Sequence, residues 1–113
     1  MELDTLTNEH VEIVAKYFAS RLEKKTAELL ELVSEDIESH SARDGTYKGK
    51  ESFKKYIEKV KPEGKWENPV LSEDNRTVIM RGVVKILFVS VTVKSAFTFN
   101  KDNKICKINT SKA

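Results

Sequence analysis

The sequence predicts an α+β domain in which three helices precede a strongly bent antiparallel sheet. Three observations carry that prediction. Apolar residues recur at three- and four-residue steps through the first half of the chain. From Lys65 onward the composition turns to β-branched and aromatic residues separated by polar turns. The run from Thr77 to Phe99, interrupted by no Pro and by Gly82 alone, is too long to be one straight strand. With 113 residues there is material for one core, so residues 1–113 are read as a single domain.

Val11, Val14, Ala15, Phe18 and Leu22 form one stripe of a first helix, expected from about Asn8 to Lys24 with Thr7 as its N-cap. At about 100° per residue, Ile13 and Tyr17 lie roughly 120° away from that stripe. The helix therefore touches protein on two sides, and Tyr17 is expected to be partly buried. Thr26 is read as the cap of a second helix, Ala27 to Val33, with Leu29, Leu30 and Val33 facing inward and Glu28 in its first turn. Ser34 to Ser41 reads as a short strand. Gly45 and Gly49 punctuate a turn, and Phe53, Tyr56, Ile57 and Val60 mark a third helix that Lys61-Pro62-Glu63-Gly64 ends.

In the second half, Glu73-Asp74-Asn75-Arg76 and Asn100-Lys101-Asp102-Asn103 read as turns between strands. Drawn out straight, Thr77 to Phe99 would span roughly 75 Å, about twice the diameter of a domain this size. It must fold back. Val78, Met80, Val84, Ile86 and Phe88 put apolar residues on even numbers, whereas Val89, Val91, Val93, Phe97 and Phe99 put them on odd numbers. A slip of one residue exchanges the faces of a strand, so a reversal or bulge is expected within three residues of Phe88, with Gly82 marking a second bend.

Composition narrows the function. Hydrophobic residues at 39% and charged residues at 34% describe a chain that folds and carries a heavily charged surface. The acidic start, Met1-Glu2-Leu3-Asp4, resembles neither a secretory signal nor a transit peptide. The longest uncharged apolar run, Ile86 to Val93, falls far short of the ~20 residues of a membrane helix. Cys106 has no second cysteine to pair with, which fits a reducing compartment, and a cytoplasmic location is expected. Residues 1–46 carry a net charge of −6 and residues 47–113 one of +8. Lys48, Lys50, Lys54, Lys55, Lys59, Lys61 and Lys65 supply much of the latter. With few aromatic residues or arginines among them they are read as a solvated face, and neither a nucleic-acid nor a membrane partner is expected. His10, His40 and Cys106 show no metal-ligand spacing. No phosphate loop, nucleophile elbow or dinucleotide fingerprint occurs, so no cofactor is expected.

The order of elements, the Lys16-Tyr17-Phe18-Ala19 segment of the first helix, the Gly45-Thr46-Tyr47-Lys48-Gly49 turn and the late Ala96-Phe97-Thr98-Phe99-Asn100 segment resemble the nuclear transport factor 2-like superfamily. The likeness covers residues 8–112 and is nearest to the ketosteroid isomerase and SnoaL-type polyketide cyclase branch. It implies a cone in which helices and a curved sheet enclose an apolar pocket, and a homodimer formed through the open sheet face. It also implies three site positions. Tyr17 falls where that branch has a tyrosine donor to an oxyanion; with a one-residue gap near Ser34, His40 falls where it has a proton-moving carboxylate; and Ser95 falls where it has a protonated acid. Two of the three differ in identity from the branch, although histidine is a competent base near neutral pH. Phe18, Trp66, Met80, Phe97 and Phe99 are the expected pocket wall.

Each position has a plainer reading. An inward Ile37 sends His40, three residues on, to the opposite face of its strand. Tyr17 can be a core aromatic, and Ser95 can line the pocket or bond to a neighbour. Asp36, Glu38 and Asp44 are near enough in sequence to orient a ring at His40, while His10 is expected on the surface. Two functions follow: a pocket protein for a small apolar molecule, with cofactor-free isomerase, cyclase or dehydratase chemistry, or a non-catalytic protein-interaction or scaffold module.

Overall fold

Three helices and one mixed sheet make up the fold in the computed structural model, which describes residues 2–113. The helices are α1 (Asn8–Leu22), α2 (Thr26–Leu30) and α3 (Lys50–Lys59). The strands are β1 (Val33–Ser41), β2 (Gly45–Lys48), β3 (Lys65–Trp66), β4 (Val70–Leu71), β5 (Val78–Ile86), β6 (Val89–Phe99) and β7 (Ile105–Lys112). Their order is β2-β1-β7-β6-β5-β3, with β4 also paired to β5. Only β1 and β7 run parallel; the other pairs are antiparallel. Register shifts between Val33 and Glu38 along the β1–β7 pair, and at Thr98–Phe99 along β6–β7, bend the sheet around the helices.

The boundaries depart from the sequence reading in four places. α1 ends two residues early, and its buried face runs through His10, Val14, Tyr17 and Ser20, leaving Ala15 and Leu22 exposed. The inward line thus lies between the two apolar arcs, and Tyr17, at 3% exposure, is more deeply buried than expected. α2 is a five-residue helix because Leu32 and Val33 are drawn into the sheet, where Ile105 donates its N–H to the Leu32 carbonyl and Val33 lies opposite Ile105. α3 starts three residues before Phe53, directly after Gly49, whose φ of 88° an L side chain rarely adopts. The second half holds three long strands and two of two residues, β3 and β4, separated by Glu67-Asn68-Pro69; Pro69 has no N–H to continue the edge.

The expected reversal is a tight hairpin. Ile86 pairs with Val89, and Leu87, in the left-handed region at φ 60°, turns the chain with Phe88. Folded back, the stretch fits a molecule whose longest extent is 41 Å. The parity change keeps both apolar sets on one face: Val78 sits opposite Phe97, Met80 opposite Ser95 and Val84 opposite Val91. Ile86 and the two turn residues project past the core, Leu87 at 89% and Phe88 at 100% exposure.

Two expectations are corrected here. Gly82 makes no bend. It lies within β5, paired with Val93 on one side and Trp66 on the other, and a Cβ at this position would stand 2.5 Å from the Trp66 indole. The missing side chain is the space that the indole occupies. His10 is buried, at 6% exposure, instead of lying on the surface. Its Nδ1 accepts the Thr7 N–H at 3.0 Å and its Nε2 meets Asn103 Oδ1 at 2.9 Å. The ring also stands edge-on to Phe99, with centroids 4.7 Å apart. His10 therefore pins the start of α1 to the β6–β7 turn. No helix among the described residues is long and apolar enough to cross a membrane.

Because the indole leaves no room for a methyl group, Gly82→Ala is expected to destabilise the fold by about 2 kcal/mol, in the range of overpacked cores. The checks are a lower thermal midpoint and a changed Trp66 fluorescence maximum; an unchanged midpoint would contradict this packing.

Candidate functional site

Between α1, α3 and the concave side of the sheet lies a cavity of about 340 Å³. Its wall is mainly apolar: Phe18 and Trp66 on one side, Met80, Val84, Val91, Val93, Phe97 and Ile108 along the sheet. Of the five residues expected to form this wall, Phe18, Trp66, Met80 and Phe97 do so. Phe99 does not line it, because the β6 register sends Phe99 beyond the cavity to the buried ring of His10. Phe18 and Trp66 have ring centroids 5.9 Å apart, and the Trp66 Nε1–H donates to the Glu63 carbonyl at 2.8 Å, which fixes the indole at the edge of the cavity.

The polar groups reach the cavity from three directions. Tyr17 and Arg21, four residues apart, share the inward face of α1. Ser39 and Ser41 alternate inward along β1, and Ser95 and Thr110 come from adjacent strands, with their hydroxyls 2.7 Å apart. Asp44 is held in the turn after β1. There the Ser41 hydroxyl oxygen accepts the N–H groups of Arg43 at 3.2 Å and Asp44 at 3.3 Å, an arrangement typical of serine-stabilised turns. The buried Tyr56 of α3 donates its hydroxyl to Asp44 Oδ2 at 2.9 Å. The Tyr56 ring stacks on Tyr47, with centroids 4.5 Å apart, and carries the Arg21 guanidinium 5.1 Å from its own centroid.

His40 is not part of this site. The alternation of β1 turns Ile37, Ser39 and Ser41 inward and leaves His40 exposed on the outer face, where its Nδ1 lies at hydrogen-bond distance from Thr46 Oγ1. Asp36 and Glu38 are exposed as well, and Asp44 bonds to Tyr56 and not to His40. Tyr17 and Ser95 do line the cavity. The groups that the sequence reading passed over are Arg21, Tyr56, Ser39, Ser41 and Thr110. Arg21 had a signal: it is a cation three and four residues after Phe18 and Tyr17, hence on the apolar side of the helix. The Asp44–Tyr56 pair had none, since a turn and a helix twelve residues apart meet only through the fold.

Burial and charge set the ionisation of these groups. Burial raises the Tyr17 phenol above its usual range, and the nearby Arg21 only partly opposes this. Tyr56 is pushed up from 10.0 to about 12, chiefly by burial, against the pull of Arg21 and with help from its bond to Asp44. Both phenols are therefore protonated donors at neutral pH. Burial works against the charge of Arg21, while the neighbouring Tyr17 and Tyr56 act in the other direction and hold its pKa above the usual arginine value. No group of three or more potential metal ligands is found among the described residues.

A Tyr56 pKa raised in the folded state means that its stabilising contribution is complete below the ordinary phenol value of 10.0 and is lost as pH rises through about 12. In an ultraviolet titration Tyr56→Phe is expected to remove one late-ionising phenol and to flatten the loss of stability above pH ~10. A titration unchanged by the substitution would contradict the buried placement.

No family model and no curated protein matches the sequence. Solved structures do match. A steroid delta-isomerase from Pseudomonas aeruginosa superposes with a TM-score of 0.72 at 15% identity, covering 93% of this chain and 80% of the other. An NTF2-like protein from Burkholderia xenovorans superposes with a TM-score of 0.67 at 22% identity, covering 93% and 89%. The orange carotenoid protein from Anabaena, solved binding canthaxanthin, superposes with a TM-score of 0.63 at 16% identity, covering 88% of this chain and 35% of that one. The order of helices and strands, the bent sheet and these superpositions together establish that the chain has the nuclear transport factor 2-like fold.

Proposed function

We propose that this protein binds a small apolar molecule in the cavity and catalyses cofactor-free proton transfer on it, as an isomerase, cyclase or dehydratase. The observation that carries the reading is the lining of the cavity: a mainly apolar wall to which Tyr17 and the Asp44–Tyr56 pair, both neighbours of Arg21, add a phenol donor and a carboxylate. A cavity of about 340 Å³ falls at the lower end of small-molecule pockets. The likeness to a steroid isomerase and to a carotenoid-binding protein is in keeping with an apolar ligand.

In this reading Asp44 takes the place that the sequence suggested for His40. Tyr56 occupies Oδ2 of Asp44, which fixes the carboxylate, and Oδ1 stands 3.8 Å from Arg43 Nε at the surface end of the turn. Asp44 removes a proton from carbon next to a ligand carbonyl; the electron pair moves onto the carbonyl oxygen, and the protonated Tyr17 donates a hydrogen bond to the oxyanion. Return of the proton to a different carbon isomerises the ligand, and loss of a β-hydroxyl as water dehydrates it. Ser95 is a weaker donor, because its hydroxyl already shares a hydrogen bond with Thr110.

An enolisable bicyclic ketone tests this without knowledge of the natural substrate. The protein should accelerate exchange of the α-protons of 2-tetralone in D2O, followed by NMR. Asp44→Asn and Tyr17→Phe should each slow that exchange on the order of 10²-fold with little change in thermal midpoint, whereas His40→Ala should leave it unchanged. Binding of the ketone with no acceleration would leave a ligand carrier or interaction module, and sensitivity to His40→Ala would overturn the choice of base.

We further propose the homodimer that the resemblance implies. The outer face of the sheet carries Arg81 on β5, Lys94 on β6, Lys107 and Asn109 on β7, and Glu38 on β1. So polar a face favours a modest, hydrated interface. Sedimentation at micromolar concentration is expected to show a dimer that dissociates on dilution; monomer alone at high concentration would exclude it.

A further inference from the structure

We infer that the ligand of this cavity carries an anionic group, most simply a carboxylate, which seats against Arg21. The inference rests on the reading of the cavity as a binding site for an apolar molecule, and it adds the chemical class of that molecule.

Arg21 is a cation with too few partners. Its Nη2–H donates to the Val60 carbonyl at 3.0 Å, and no other hydrogen bond of ordinary geometry is made by its guanidinium among the described residues. Nε is sealed from water and has no hydrogen-bond partner. No carboxylate lies within 4.0 Å of it, whereas the four ion pairs among the described residues are all formed by other cations. A buried N–H without a partner and a largely buried charge without a counter-ion are both costly, and native proteins keep them rarely. The face of Tyr56 and the hydroxyls of Tyr17 and Tyr56 beside the guanidinium offset part of the charge, but they leave Nε without an acceptor and, being protonated, supply no negative counter-charge.

The nearby carboxylates do not pair with Arg21. Asp44 Oδ2 accepts from Tyr56, and its other oxygen, with Glu63, is paired with Arg43, at 3.8 Å and 3.1 Å. Lys61 and Lys112, which also line the cavity, form no ion pair among the described residues. The residues around the cavity thus include four cations and two carboxylates, with Arg21 the innermost cation. A planar anion is the ligand group whose geometry matches a guanidinium fork, and it would supply both the missing acceptor and the missing charge.

The bond to the Val60 carbonyl also gives Arg21 a structural role at the end of α3, so the test must read something other than folding. Binding of 2-naphthylacetate and of its neutral isostere 2-naphthylacetamide, followed by titration calorimetry, separates the two. The wild type is expected to prefer the carboxylate about 10-fold or more, with the preference shrinking as salt rises. Arg21→Gln should remove that preference while retaining the affinity for the amide, and Arg21→Lys should keep part of it. Retained amide binding shows that the variant still folds around its cavity. Equal binding of acid and amide by the wild type overturns the inference and leaves the apolar-pocket reading intact. A carboxylate preference that survives Arg21→Gln also overturns it, since the anion then sits on Lys61 or Lys112. Failure of both probes, and of 2-tetralone, overturns the pocket reading and the inference together.

Discussion

The cavity owes its volume to one rank of the sheet in which two small hydroxyl side chains stand beside Met80. Across β5, β6 and β7 the inward residues form rows at right angles to the strands: Val78, Phe97 and Ile108 in one, Met80, Ser95 and Thr110 in the next. The first row is apolar and closes the core beneath. In the second, two hydroxyl residues stand where a sandwich or barrel would normally place Val or Leu, and each satisfies the other at 2.7 Å. Their bond allows two polar side chains to face inward without partners from elsewhere, and their size leaves the volume above them unfilled. Everything proposed for the site depends on that row, since bulkier residues there would extend the core into the cavity.

The opposite wall follows from a second economy of sequence. α1 brings Tyr17 and Arg21 inward one turn apart, and α3 brings Tyr56 to meet both Arg21 and the Asp44 turn. Two helices and one turn thereby share a single aromatic ring. Tyr56 is stacked, hydrogen-bonded and covered by a guanidinium, which makes it the most constrained group of the site and the one that fixes the carboxylate. A cofactor-free acid–base site needs this kind of fixing, because its rate depends on donor and acceptor positions held by the protein alone.

Much of the fold could be read from the chain, and the reasons are particular. The change of parity at Phe88 located the hairpin because a strand buried on one face has a fixed period. The helices were found from their apolar spacing, although the burial of Tyr17 and the exposure of Leu22 show that spacing gives the existence of a helix more securely than its rotation. The short strands β3 and β4 were not separable by pattern, being two residues each. Of the site, Tyr17, Ser95 and four of the five wall residues were legible from resemblance and alternation. His40 failed on the alternation that the sequence itself displayed through Ile37. Asp44 and Tyr56 depend on a contact between elements, and His10 was misplaced because its partners, Asn103 and Phe99, lie some ninety residues away.

The parallel pairing of β1 with β7 has a consequence for how the molecule is made. β1 carries Ser39 and Ser41 and leads into the Asp44 turn, yet one of its two neighbours is the strand at residues 105–112. During synthesis, β1 has only β2 to pair with until residues 105–112 have left the ribosome, and its other edge stays open until then. Such an edge is a template for pairing with other chains. Charged side chains are among the features that disfavour pairing at such an edge, and Glu35, Asp36 and Glu38 stand exposed on this strand. Ile108, Thr110, Ser111 and Lys112 of that late strand line the cavity, so the cavity is completed only when β7 pairs with β1.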